Sequence, residues 1–240
     1  MNRPQIKNII VAGAAGNLGR ETVKKFLSDG KRVVSLVQAQ THRDELVDFL
    51  ATLHSPEKHI ALVGDLSSQK VCFDLVEKAH SFLGTIDAAL STAGAFQHGN
   101  VEDTTEANYD LLFGSNFKSC WALARSVIPH MKKARNGRLV FISSLSTQGR
   151  GSEGMSLYLA SKAALNMLTL CLAREVHNHG ITVNALMPSV IDTLSNRKSM
   201  PKEDFSKWVQ PDDLVAIMGS LLSDSWCTVN GSLIAVPGKL

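Results

Sequence analysis

Tyr158 and Lys162 stand four positions apart in the run SLYLASKAALNMLTLCLARE, which reads as a helix, with Ser144 upstream and the stretch AGAAGNLG near the amino terminus. Side chains at i and i+4 share a helix face, so an ammonium group can stand beside a phenol. A neighbouring cation favours the phenolate. The expectation is a Tyr158 held below the ordinary tyrosine pKa of about 10 and able to exchange protons near neutrality. A lone YxxxK pair is usually a packed tyrosine beside a solvated lysine, so the weight lies in what accompanies it.

AGAAGNLG follows a short apolar run and precedes a helical pattern, the context in which glycine spacing carries meaning. Gly13 permits a tight turn and Gly19 a close approach of helix to strand. Gly16 adds a position without Cβ, where pyrophosphate oxygens can reach backbone N–H groups at a helix N-terminus. Asp65, in VGDLSS, either accepts a hydrogen bond from an adenine amino group or caps the helix that follows.

Seven apolar, β-rich runs recur, at Ile6 to Ala12, Arg32 to Val37, His59 to Val63, Ile86 to Ser91, Arg138 to Ser143, Thr182 to Met187 and Ser232 to Val236. Helical patterns such as Leu18 to Leu27, Lys70 to Phe82 and Asn108 to Met131 alternate with them. Continuous apolar strands belong to a parallel sheet covered on both faces. The expected fold is therefore α/β, a doubly wound parallel sheet of about seven strands with helices on both sides, in a single domain spanning residues 1–240. The segment TLSNRKSMPKEDFSKWVQ, Thr193 to Gln210, is long for a connection in a compact domain. It reads as a lid over a site, or as an insertion whose Met200, Phe205 and Trp208 pack on the body.

Composition narrows the function classes. The 240 residues are 44% hydrophobic with a net charge of +3, and the basic residues are scattered, which argues against nucleic acid as a partner. Cys72, Cys120, Cys171 and Cys227 form no CxxC pair and are expected to be reduced core residues. His177 and His179 lack an acidic or cysteine partner and sit beside Gly180, as solvated helix-end residues would. The start MNRPQIKNIIVAG passes directly into a strand and a glycine turn, and no run reaches the length of a membrane span. A soluble, cytoplasmic protein with no membrane partner is expected.

Taken in order, AGAAGNLG, GDLSS, STAGA, Asn116, FISSLS, YLASK and PSVIDT resemble the short-chain dehydrogenase/reductase family over nearly the whole chain. Ala12 stands where the family often has threonine, Asn17 where its middle glycine falls, Ser91 and Thr92 in place of the first residues of NNAG, and Ser189 in place of the glycine after Pro188. The resemblance implies a Rossmann-type sheet with a nicotinamide cofactor. It makes Tyr158 the general acid, Lys162 its partner and a ribose ligand, Ser144 (or its neighbour Ser143) the group that polarises the carbonyl, and Asn116 the holder of a relay water. Cofactor contacts are implied at Gly13, Gly16, Asn17, Leu18, Gly19, Gln38, Arg43, Asp65, Leu66, Ala93, Gly94, Tyr158, Lys162, Pro188, Ile191 and Thr193.

A fold selecting NAD usually places an acid after the second strand, but here Val37 and Gln38 fill that place and the first acid is Asp44. The expectation leans to NADP, with NAD as the alternative and His42 and Arg43 as candidate phosphate ligands. The expected activity is reduction of a small-molecule ketone or oxidation of its alcohol, in a homodimer or homotetramer. Substrate choice is assigned to the lid, to Ala95 to Val101, and to Leu145 to Leu157, where Gln148 and Arg150 offer polar anchoring. The segment IDTLSNRKSMPKEDFSKW is similar to part of the dihydropteridine reductases, which gives pterin reduction as a second expectation. A nucleotide sensor or scaffold without chemistry is the third.

Overall fold

The computed structural model describes residues 5–53 and 56–239. Seven strands, β1 (Asn8–Ala12), β2 (Arg32–Val37), β3 (His59–Val63), β4 (Ala88–Ser91), β5 (Gly137–Ile142), β6 (Ile181–Pro188) and β7 (Leu233–Val236), pair in parallel in the order β3-β2-β1-β4-β5-β6-β7. Alternation along each strand decides what it packs against, because successive side chains point to opposite faces. Ile10, Ala12, Val34, Leu36, Leu139 and Phe141 meet α3 (Gln69–Leu83), α5 (Ser119–Ala134) and α6 (Ser156–Val176) on one side. Ile9, Val11, Val33, Val37, Val140 and Ile142 meet α1 (Asn17–Ser28), α2 (Gln40–Leu50) and α8 (Pro211–Leu222) on the other. The remaining helices, α4 (Glu106–Phe113) and α7 (Leu194–Ser199), lie in the connections after β4 and β6. The two core layers and single sheet are those of the doubly wound fold expected from the sequence.

Element ends moved for identifiable reasons. The Asp87 carboxylate accepts the Lys7 and Asn8 N–H groups at 2.8 and 2.9 Å, so β1 begins at Asn8 rather than Ile6, and β4 begins at Ala88. Thr105 and Asn108 form a capping box that starts α4 two residues before Asn108. The expected helix from Asn108 to Met131 is broken into α4 and α5 by a π-helical turn, Gly114–Lys118.

Two expectations fail. Cys72 and Cys120 are buried, but Cys171 is exposed on the outer face of α6 and Cys227 is half-buried. One run among the described residues, Ser156–His179, does have the length and mean hydropathy (1.3) of a membrane-crossing helix. It is α6, whose Lys162, Leu165, Leu172 and Val176 are buried, while Met167 and Cys171 are exposed. His177–His179 form the 3-10 turn that ends it, and no metal cluster occurs among the described residues.

Candidate active site

At the carboxyl ends of the strands the chain forms a cavity of about 500 Å³. Its lining brings together Gly13, Gly16, Asn17, Gln38, Asp65, Leu66, Ala93 and Gly94 from the sequence-predicted set. The turn is built by exclusion. Gly13 has φ +74 and a Cβ there would lie 2.4 Å from the Ala93 nitrogen, while a Cβ on Gly19 would lie 2.1 Å from the Gly13 oxygen. Thr92, where the family pattern has asparagine, ties this turn to β4: its hydroxyl donates to the Ala12 and Gly13 oxygens at 2.9 and 3.1 Å. The N-terminus of α1 has no side-chain cap and no acidic residue in its first turn. Asn17, Leu18 and Gly19 thus present a positive helix end to the cavity mouth, which suits a pyrophosphate. Asp65 does not cap α3. Its carboxylate accepts from the Ser67 N–H and hydroxyl at 2.9 and 2.8 Å, and Ser68 takes the N-cap position.

The end of β2 departs from expectation. His42 and Glu45 line the cavity from one face of α2, and Arg43, one residue around the helix, does not. Burial of Leu46 and Leu50 fixes that rotation. A cation the sequence reading passed over takes its place: Arg20 lines the cavity, donates to Asn17 Oδ1 at 2.7 Å and lies 5.5 Å over the Phe49 ring. Its position directly after Gly19, in the first turn of α1, was the available signal.

The four catalytic candidates meet where β5, α6 and the π turn converge. Lys162, buried, donates from Nζ to the Ile142 carbonyl at 2.8 Å, and Ser143 Oγ donates back to the Lys162 carbonyl at 3.3 Å. Ser143 is thereby occupied with α6, and Ser144 is the serine whose hydroxyl acts on the Tyr158 phenol. Burial pulls the Lys162 ammonium down to about 8. Burial also pushes the half-buried Tyr158 phenol up, and the Ser144 hydrogen bond offsets only part of that. The expected depression of Tyr158 is therefore reversed, because desolvation outweighs the nearby polar groups and Nζ of Lys162 is directed at a backbone carbonyl.

Asn116 sits fully buried in the π turn, a distortion frequent at functional sites. Its amide donates to the Ala95 oxygen at 2.9 Å and Ser161 Oγ at 3.0 Å and accepts the Ala95 N–H at 2.9 Å. The side chain clamps the loop after β4. A Cβ on Gly94 would fall 2.9 Å from Asn116 Oδ1 and 3.3 Å from Lys162 Nζ. That glycine joins the cavity to the catalytic cluster.

Pro188 is buried at the end of β6, and Ile191 pairs with Val209 in an isolated parallel bridge that closes the 193–210 segment on itself. Thr193 caps α7, and Asp192 receives Arg197 in two hydrogen bonds of 2.6 Å and Gln210 in one of 3.1 Å. Trp208 is buried, while Phe205 and Met200 are half-buried. Gln148 and Arg150 are exposed.

The short chain dehydrogenase family profile matches residues 7–204. The protein is a short-chain dehydrogenase/reductase. It is 27% identical to a 3-oxoacyl-[acyl-carrier-protein] reductase, FabG, of Thermotoga maritima, over 98% of this chain and 97% of that protein. It is 26% identical to the meso-2,3-butanediol dehydrogenase of Serratia marcescens, over 97% of this chain and 93% of that one. A solved structure described as ElxO with NADP bound superposes with a TM-score of 0.88, covering 98% of each chain at 19% identity, which establishes the shared fold. Within this dehydrogenase/reductase, the sequence reading missed Arg20, Thr92 and Ser161. Thr92 stood out only as a departure from the family's NNAG stretch, and Ser161 carried no signal, because their roles are contacts between residues far apart in the chain.

Proposed function

We propose that this short-chain dehydrogenase/reductase reduces a small-molecule ketone or aldehyde with a nicotinamide cofactor, preferring NADP. The observation that carries the reading is Tyr158, Ser144 and buried Lys162 brought together, with a cavity of about 500 Å³ walled by Gly13, Gly16 and Gly94 beside them. A bound nicotinamide cofactor supplies the hydride. The substrate oxygen takes a hydrogen bond from Ser144 and the proton from Tyr158, so carbon gains hydride and oxygen gains a proton. Tyr158 with a raised pKa is protonated at neutral pH and is available as the acid. Lys162 would bind the nicotinamide ribose, and Asn116 holds Ala95 and Ser161 in place. Gly13, Gly16, Asn17, Leu18 and Gly19 would hold the pyrophosphate, Asp65 and Leu66 the adenine, and Ala93, Gly94, Pro188, Ile191 and Thr193 the nicotinamide half.

Arg20 from α1, Gln38 after β2 and His42 from α2 line the cavity together with Glu45, and the reading of NADP rests on Arg20, since a guanidinium paired with a phosphate forms a strong charge-assisted contact. The 193–210 segment, closed at its base by the Ile191 and Val209 bridge, serves as the substrate lid. Exposed Met167 and Cys171 on α6 are consistent with assembly into dimers or tetramers through α5 and α6.

The test is oxidation of NADPH and of NADH against a panel of ketones, aldehydes and quinonoid dihydropterin. Ketone turnover favouring NADPH is the expected result. Pterin turnover that survives Ser144→Ala would replace the ketone with a pterin. Cofactor binding without turnover of any substrate would leave a sensor.

A further inference from the structure

The loop after β4 is held at nearly every residue but one. Ala95 is fixed through both backbone groups by Asn116, and Gln97 Oε1 accepts from Asn108 Nδ2 at 2.9 Å. The Gly99 N–H donates to the Gly154 oxygen at 2.8 Å. Gly154 has φ +69, and a Cβ there would lie 2.2 Å from ring atoms of His98. Between these clamps Phe96 projects outward, 60% exposed, and its ring meets that of Tyr158 edge to face, with centroids 4.9 Å apart and planes at 79°. Single exposed apolar residues are ordinary on a surface. What distinguishes Phe96 is that Ala95 before it is held through both backbone groups, the Gln97 side chain after it is hydrogen-bonded, and its ring touches Tyr158.

Two other exposed apolar residues lie on connections at the same end of the sheet. The large apolar residues with the greatest exposure among the described residues are Leu194 (73%), Val101 (69%) and Phe96 (60%). Phe96 and Val101 belong to the connection after β4, and Leu194 to the one after β6. Both connections leave the carboxyl ends of their strands, where this fold binds its ligands. The polar side chains Gln148 and Arg150 lie on a different connection, after β5.

We propose that Phe96 is a specificity-determining residue of the carbonyl site, selecting ketones that carry an aromatic or extended apolar group to pack on its exposed ring while the oxygen meets Tyr158 and Ser144. This rests on the ketone-reductase reading above. Aromatic rings favour offset or edge contacts with one another, so a ring already engaged with Tyr158 presents its remaining surface in a fixed orientation. A short aliphatic ketone reaches the same hydroxyls without that surface and gains nothing from it.

The experiment measures kcat/KM for acetophenone and for butanone with wild type, Phe96→Ala and Phe96→Leu, together with NADPH affinity and melting temperature. Expected is a wild-type preference for acetophenone and a loss of about tenfold or more on acetophenone in Phe96→Ala, with butanone changed by less than about threefold. Phe96→Leu should fall between, with NADPH affinity and melting temperature unaffected in both variants. Equal losses on the two ketones would reduce Phe96 to a support for Tyr158 and overturn the proposal, as would no loss on either. Wild type inactive on both ketones would instead refute the ketone-reductase reading and this proposal with it.

Discussion

The candidate catalytic cluster and the rim of exposed apolar residues on the connections after β4 and β6 are built on opposite terms. Asn116, Ser144 and Lys162 are buried, and Asn116 and Lys162 spend their hydrogen-bonding groups on backbone and on Ser161. Phe96, Val101 and Leu194 are largely exposed and apolar, on connections tied down at their ends. Proton transfer demands groups fixed to within fractions of an ångström, which burial and saturated hydrogen bonding supply. Selection demands surface left free for the substrate.

If the cluster is a fixed frame, removing its central clamp should do the most damage. Asn116→Ala leaves the Ala95 N–H and carbonyl without their partner, at a cost of about 1–3 kcal/mol for each unmet buried group, and both melting temperature and turnover should drop sharply. Unchanged activity would break the comparison. At the cofactor end, Arg20→Ala should weaken NADPH about tenfold and NADH little, while Arg43→Ala changes neither by more than about twofold. Titration calorimetry with both nucleotides decides it.

The pH dependence sharpens the contrast in a graded way. Lys162 titrates near about 8, so its ammonium is present below that pH and lost above it. Since kcat/KM reports groups of the free enzyme, reduction should decline as pH rises through about 8, while raised Tyr158 stays protonated. The burial that depresses Lys162 also costs stability while the group is charged. That cost is present below about 8 and fades as pH climbs toward 10.5. The smallest effect belongs to the rim. Gly154→Ala puts a Cβ against the His98 ring at a positive φ, and should raise the ketone KM a few-fold with NADPH affinity unchanged.

The sheet order and the glycine turn were legible because strand periodicity and close backbone approach restrict residue type directly. Ser144, Tyr158 and Lys162 were picked out through the family motifs they stand in, and the fold brings them to one place. The raised pKa of Tyr158 was not, since desolvation depends on what the fold places around the ring. Arg43 was chosen over Arg20 because nothing local states the rotation of α2, which Leu46 and Leu50 set through the core. The π turn at Asn116 also has no residue code, and Cys171 was assigned to the core because an apolar helix does not announce which of its faces is outside.

The central claim is that Tyr158 delivers the proton and does not hold the cofactor alone. The most direct measurement is Tyr158→Phe, followed by NADPH affinity and by ketone turnover. The account predicts turnover reduced by about 10²–10⁴ with NADPH affinity within about threefold of wild type. Retained turnover would contradict it.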